Sequence, residues 1–160
     1  MIVKKSLSIN DTLIKTIHYP SVSMAKGGKK VLLGLGGNIG DVLRRFEHLF
    51  VYFERSSFVH ILETAPILKN PAFGYREQAD FYNTLMWIET TLSPHHLLRY
   101  ILRVEKVFGR KRSFANAPRT LDIDIIFYEN IKLESKVLIL PHPAWLDRDS
   151  ILVPLSYMRT

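Results

Sequence analysis

Arg119-Thr120-Leu121-Asp122-Ile123-Asp124-Ile125-Ile126-Phe127 is the stretch on which the fold turns. Side chains alternate along an extended chain, so Leu121, Ile123 and Ile125 fall on one face of a strand and Asp122 and Asp124 on the other. Same-face neighbours stand about 7 Å apart, which makes the two carboxylates a pair. Like charges held together are costly unless a cation lies between them, and aspartate is depleted in strands. With Arg119 just upstream, the pattern points to a divalent metal and a phosphate-bearing ligand. The plain alternative is the wet face of an edge strand.

Working outward, the spacing predicts three more strands and two helices. Val31–Leu35 is a short apolar strand, followed by the glycine-rich run Gly34–Asp41, which reads as a turn. Leu43, Phe46, Leu49, Phe50 and Phe53 then recur at helical spacing, with Asn38 as the cap and Asp41 in the first turn. Phe58–Leu62 and Phe81–Glu89 read as strands, and Thr64–Asp80 between them as a long loop. Ser93-Pro94 opens a second helix in cap-then-proline order, running to about Phe108 with Gly109 as its stop. Arg110–Pro118 is a basic loop leading to the aspartate strand, and a short helix is expected near Ile151–Met158.

The order β-α-β-β-α-β predicts an α+β, ferredoxin-like antiparallel sheet with helices on one face and extra N- and C-terminal elements. Residues 1–30 read as an N-terminal extension of unreadable function and residues 31–160 as a single catalytic domain. The glycine run invites comparison with a dinucleotide-binding turn. Gly34 and Gly36 fit that pattern, but the third required position is Ile39, and the strand order is wrong for a doubly wound sheet.

Composition narrows the class. The chain has 160 residues, 47% of them hydrophobic and 23% charged, as a soluble globular domain would. It has no cysteine, so disulfides, thiolate metal sites and cysteine nucleophiles are excluded. No apolar run approaches the roughly 20 residues of a membrane span, and Met1–Lys5 lacks the pattern of a signal peptide, so a cytoplasmic protein is expected. A formal charge of +7 calls for an anionic partner. Part of the excess lies in Lys4, Lys5, Lys15, Lys26, Lys29 and Lys30; the rest, Arg110, Lys111, Arg112 and Arg119, closes on the aspartates.

Each candidate carries a plainer reading. Arg110, Lys111 and Arg112 can merely complement a helix C-terminus. Arg119, at the return of a loop to the aspartate strand, suits bidentate phosphate recognition. His142, fixed between Pro141 and Pro143 with Arg148 six residues on, is a phosphate-contact candidate, whereas His95 and His96 read as surface and His18, His48 and His60 carry no signal. Phe81 and Asn83 share one strand face and together suit a flat heteroaromatic ligand. An RNA-binding module has the same element order, but Val31–Leu35 lacks an aromatic residue and two carboxylates would repel a nucleic-acid backbone.

Taken in order, Leu35–Asp41, Glu63-Thr64-Ala65-Pro66, Asp80-Phe81-Tyr82-Asn83, Gly109–Arg112, Ala117–Asp124 and Leu140–Pro143 resemble the 6-hydroxymethyl-7,8-dihydropterin pyrophosphokinases of folate biosynthesis. The resemblance runs from about Val31 to Leu155, and its P-R-T-L-D-x-D core is the specific part. It implies transfer of pyrophosphate from ATP to a pterin hydroxymethyl group, with two Mg2+ ions held by Asp122 and Asp124. It further implies phosphate contacts from Arg110, Arg112, Arg119, His142 and Arg148, with Glu105 and Ile125 lining the nucleotide site. Arg110 and Arg119 would share the catalytic role with the aspartates. Thr64, Ala65, Asn83 and Asp122 would meet the pterin, and Phe81 would stack on it. A monomer without nucleic-acid or membrane partners is expected.

The chain departs from the family's pattern in several places. Gly37 replaces a serine; the tryptophan usual before the core is missing, leaving Phe114 and Asn116 nearby; Val137 and Ile139 stand where an arginine and a threonine often help bind ATP. Ser150 stands where a second stacking ring is usual, so either Trp145 supplies that ring or the pterin is held on one side only.

Overall fold

The computed structural model describes Leu7 and residues 11–70, 79–110 and 120–160. Its centre is an antiparallel sheet whose four principal strands follow the expected order. β3 (Lys29–Gly37) runs down the middle, flanked by β6 (Phe81–Thr90) and β7 (Asp122–Tyr128). β4 (Val59–Thr64) and β5 (Ile67–Asn70) pair one after the other with β6. Two short N-terminal strands, β1 (Thr12–Ile14) on β5 and β2 (Ser21–Val22) on β4, widen that edge. A separate hairpin, β8 (Leu133–Glu134) and β9 (Ile139–Leu140), follows β7. No helix is long and apolar enough to cross a membrane among the described residues.

Alternation sorts the strands into two faces. Val31, Leu33 and Leu35 of β3 join Ile123 and Ile125 of β7 in a core covered by α1 (Val42–Glu54) and α2 (Pro94–Val107). α1 contributes Val42, Phe46, Leu49, Phe50 and Phe53 at helical spacing, and α2 contributes Leu97, Tyr100, Ile101 and Val104. The opposite face carries Leu32, Leu85 and Ile126, covered in part by α3 (Asp149–Leu155) through Ile151 and Leu155. The remainder of that face is the candidate site.

Several local expectations are corrected. Gly34, Gly36 and Gly37 are not a turn but the last part of β3, which extends beyond Leu35 because two partner strands satisfy its backbone. The turn is confined to Asn38–Asp41, and Asp41 rather than Asn38 caps α1, accepting from the Arg44 N–H at 3.1 Å. Asn38 instead donates its side-chain amide to the Ala79 carbonyl. Ile67–Asn70 is strand, not loop, and the final helix spans Asp149–Leu155. Ser93 caps α2 with Pro94 in its first turn, and Gly109 sits at φ +83°, where a side chain would be strained, as expected.

The N-terminal segment is built into the body. Tyr19 is fully buried in the helix-side core and its hydroxyl donates to the Phe46 carbonyl at 2.7 Å. His18, which carried no sequence signal, stacks on Phe50 with ring centroids 4.1 Å apart and pairs with Glu47. Tyr19→Ala is expected to cost about 3–5 kcal/mol in urea unfolding, and Tyr19→Phe, which keeps the ring, about 1 kcal/mol. Equal losses would mean that the ring is not what anchors the segment.

Candidate active site

Register places the site. On the face away from α1 and α2, Asn83 of β6, Gly36 of β3 and Asp122 of β7 form one row, and Leu85, Gly34 and Asp124 the next. Two interstrand spacings separate Asn83 from Asp122, about 10 Å, with only glycine between them. The glycines that read as a turn therefore make a bare floor between an amide and a carboxylate. A Cβ at Gly36 would lie 2.8 Å from Asn83 Oδ1, so the amide would have to move. On the expectation that Asn83 meets the pterin acceptor, Gly36→Ala should leave thermal stability nearly unchanged and raise the KM for that acceptor by about tenfold or more, the scale of misplacing one hydrogen-bonding group. An unchanged acceptor KM would remove Asn83 from the site.

A bulge shapes the far end of the aspartate strand. Leu32 pairs with Phe127 but Leu33 with Ile125, so Ile126 is an extra residue and the alternation resets there. This explains why the run Ile125-Ile126-Phe127 fails to alternate. The Ile126 carbonyl is left to accept from the His142 N–H at 2.8 Å, which ties the Pro-flanked loop to β7.

The charged cluster gathers around the strand's beginning. Arg110 reaches both Glu105 Oε2, at 2.6 Å, and the Asp122 carboxylate. Glu105 is almost wholly buried and also accepts from the Ile123 N–H at 2.7 Å. Burial raises the Glu105 pKa, opposed by that N–H and by Arg110. Burial works against the Arg110 charge too, but Asp122 and Glu105 outweigh it and hold the guanidinium more firmly protonated. Asp124 is pushed up to about 7, chiefly by burial and then by the charge of Asp122, with Arg148 pulling the other way.

His142 completes this side. Burial and then Arg148 lower its pKa, with Asp122 opposing. Its Nδ1 accepts from the Ala144 N–H at 3.1 Å, so the neutral ring carries its proton on Nε2 as a donor. The cluster thus brings together Glu105, Arg110, Asp122, Asp124, His142 and Arg148. Arg112 and Arg119, with Phe114 and Asn116, lie outside the described residues. Ile125 is buried in the helix-side core, so its side chain faces away from the aspartates.

Across the glycine floor, Phe81 and Asn83 stand half-buried on β6, and Asn83 donates to Asn70 Oδ1 at 3.3 Å. Ala65 is buried at the corner between β4 and β5, its N–H bonded to the Leu85 carbonyl at 3.0 Å. Thr64 is buried as well, its hydroxyl donating to the His18 carbonyl and lying 2.9 Å from Ser21 Oγ. Sequence reading missed Thr84, whose buried hydroxyl lies 3.0 and 3.1 Å from the Ala65 and Pro66 carbonyls and clasps that corner to β6. A threonine between Asn83 and Leu85 in a strand gave no signal for this. Trp145 packs edge-on against Phe127, with centroids 4.9 Å apart. Asp122 opens β7 and Phe127 lies near its other end, so Trp145 packs toward the end of the strand away from Asp122.

An aspartate pair beside guanidinium groups, on a ferredoxin-like sheet, is an arrangement suited to a phosphate-handling transferase. The comparisons are more specific. A family model described as 7,8-dihydro-6-hydroxymethylpterin-pyrophosphokinase (HPPK) matches residues 32–160. The chain is 44% identical over 129 residues to a 2-amino-4-hydroxy-6-hydroxymethyldihydropteridine pyrophosphokinase of Helicobacter pylori, covering 79% of each chain. It is 42% identical over 125 residues to the protein of that name from Campylobacter jejuni, covering 78% of this chain and 80% of the relative. A third, from Aquifex aeolicus, is 36% identical over 126 residues, covering 78% and 77%. The chain belongs to the 7,8-dihydro-6-hydroxymethylpterin-pyrophosphokinase family and is an ATP-dependent diphosphokinase.

Proposed function

We propose that the Asp122–Asp124 cluster is where this chain carries out its family's reaction, transfer of pyrophosphate from ATP to 6-hydroxymethyl-7,8-dihydropterin with release of AMP. The hydroxymethyl oxygen attacks the β-phosphorus, the bond from that phosphorus to the oxygen of the α-phosphate breaks, and the hydroxyl proton passes to water. The observation that carries the reading is the placement of Asp122 and Asp124 side by side on one face of β7, across from Gly36 and Gly34, with Arg110 on Asp122; two crowded carboxylates of this kind are a place for a cation.

Mg2+ fits this donor set. Among the described residues no group of three or more metal-ligating side chains is assembled. Two carboxylates completed by phosphate oxygens and water are what Mg2+ accepts. Asp122 and Asp124 would hold two such ions, which supply charge neutralisation on the phosphates and orientation of the attacking alcohol. Arg110, anchored by Glu105, would follow the charge that develops on the transferred group, with Arg119 and Arg112 from the basic loop. His142, as a neutral Nε2 donor, and Arg148 would bind phosphate oxygens. On the acceptor side, Asn83 would pair with the pterin edge, Phe81 would stack on its face, and Thr64 and Ala65 would border it. The enzyme would act as a cytoplasmic monomer without nucleic-acid partners.

Acceptor-dependent nucleotide release tests the reading. ATP with the hydroxymethyldihydropterin and magnesium is expected to give AMP, in proportion to pterin consumed and only with the divalent ion present. ADP in place of AMP, or no release, would sink it.

A further inference from the structure

The family model begins at residue 32, so the segment before it lies outside that match. We infer that Thr12–Val22 is a positioning element of the acceptor half of the site, holding β5 and the Ala65-Pro66 corner in place beneath Asn83. The inference rests on the functional reading above.

Without β1, β5 would be a four-residue edge strand joined to β6 by Leu68, Lys69 and Asn70 alone. Short edge strands open readily, and this one borders the amide that would grip the acceptor. β1 removes that edge by pairing Thr12, Leu13 and Ile14 with Lys69, Leu68 and Ile67. Leu68 lies opposite Leu13 on one side and opposite Asn83 on the other, so a single rung runs from the N-terminal segment to the site. Asn70, at the end of β5, accepts from the Asn83 amide.

The other side of the corner is held by the same segment. β2 pairs Ser21 with Thr64 and Val22 with Glu63, and the Thr64 hydroxyl is engaged by His18 and Ser21. Between the two strands Tyr19 is the buried anchor. The segment therefore grips both strands that leave the corner. It lies at the far edge of the sheet from β7, four interstrand spacings or about 19 Å away, too far to touch the carboxylate cluster. Its influence should fall on the acceptor and spare the nucleotide.

Successive amides in a strand point to opposite edges, so Thr12→Pro with Leu13→Pro removes whichever N–H serves β5 while leaving Tyr19 in place. In the full chain this double variant is expected to raise the acceptor KM about fivefold to tenfold, the scale of one or two lost backbone hydrogen bonds. The affinity for MgATP should stay within about twofold, and Thr12→Val with Leu13→Val, which keeps both N–H groups, should behave as the parent. If the proline pair folds poorly, Thr12→Gly with Leu13→Gly is expected to give a smaller rise of the same kind. An unchanged acceptor KM, or parallel losses for acceptor and MgATP, would overturn the inference while leaving the functional reading intact. A parent protein that releases no AMP would overturn both.

Discussion

Asp124→Asn is expected to stabilise the ligand-free protein at pH 8 and to abolish turnover. Burial and then the charge of Asp122 push the carboxyl up to about 7 from an ordinary value of 3.8. For an acid whose folded pKa is raised, the folded state keeps its proton longer than the unfolded state does. Stability therefore falls as pH rises between about 4 and 7, and the cost is complete above 7. Asparagine has no charge to bury, so the variant gains on the order of 2–4 kcal/mol at pH 8 and almost nothing at pH 4. Turnover should fall on the order of 10³-fold, the loss typical of removing a charge-stabilising group from a transfer site. Urea unfolding at several pH values and AMP release read the two effects. A variant less stable at pH 8, or one that keeps its rate, would contradict the assignment.

The second large effect is expected at Arg110. Arg110→Ala removes the guanidinium between Glu105 and Asp122, leaving a carboxylate whose side chain is only 3% exposed without that cation. Breaking a buried pair from one side costs about 3–5 kcal/mol, much of it the penalty of the charge left behind. Glu105→Gln with Arg110→Met should recover most of that stability. It should not recover turnover, which is expected to remain about 10²–10³-fold down because charge on the transferred group is then unmatched. If stability and rate recover together, Arg110 is a structural ion-pair partner rather than a catalytic one.

Particular residues explain what was legible in the chain. The helices and principal strands could be read because their burial is one-sided: Phe46, Leu49, Phe50 and Phe53 mark the face of α1, and Ile123 and Ile125 mark that of β7. The aspartate pair was legible for the opposite reason, since charge alternating with isoleucine has few explanations. Gly34, Gly36 and Gly37 misled because local propensity favours a turn, whereas two flanking strands keep them extended. Ile67–Asn70 was hidden because its strand character depends on β1 and β6, both distant in sequence. The bulge at Ile126 and the Thr84 clasp are likewise properties of pairing, with no local signature. His18 and Tyr19 gained meaning only once α1 was packed against them.

The most direct test of the central claim, that Asp122 and Asp124 form the metal end of an ATP site, is calorimetric titration of ATP into the chain and into Asp122→Ala, each with and without magnesium. Magnesium is expected to tighten ATP binding to the parent by about tenfold or more, 1.4 kcal/mol at least, and to do nothing for the variant. Equal tightening of both would contradict the claim.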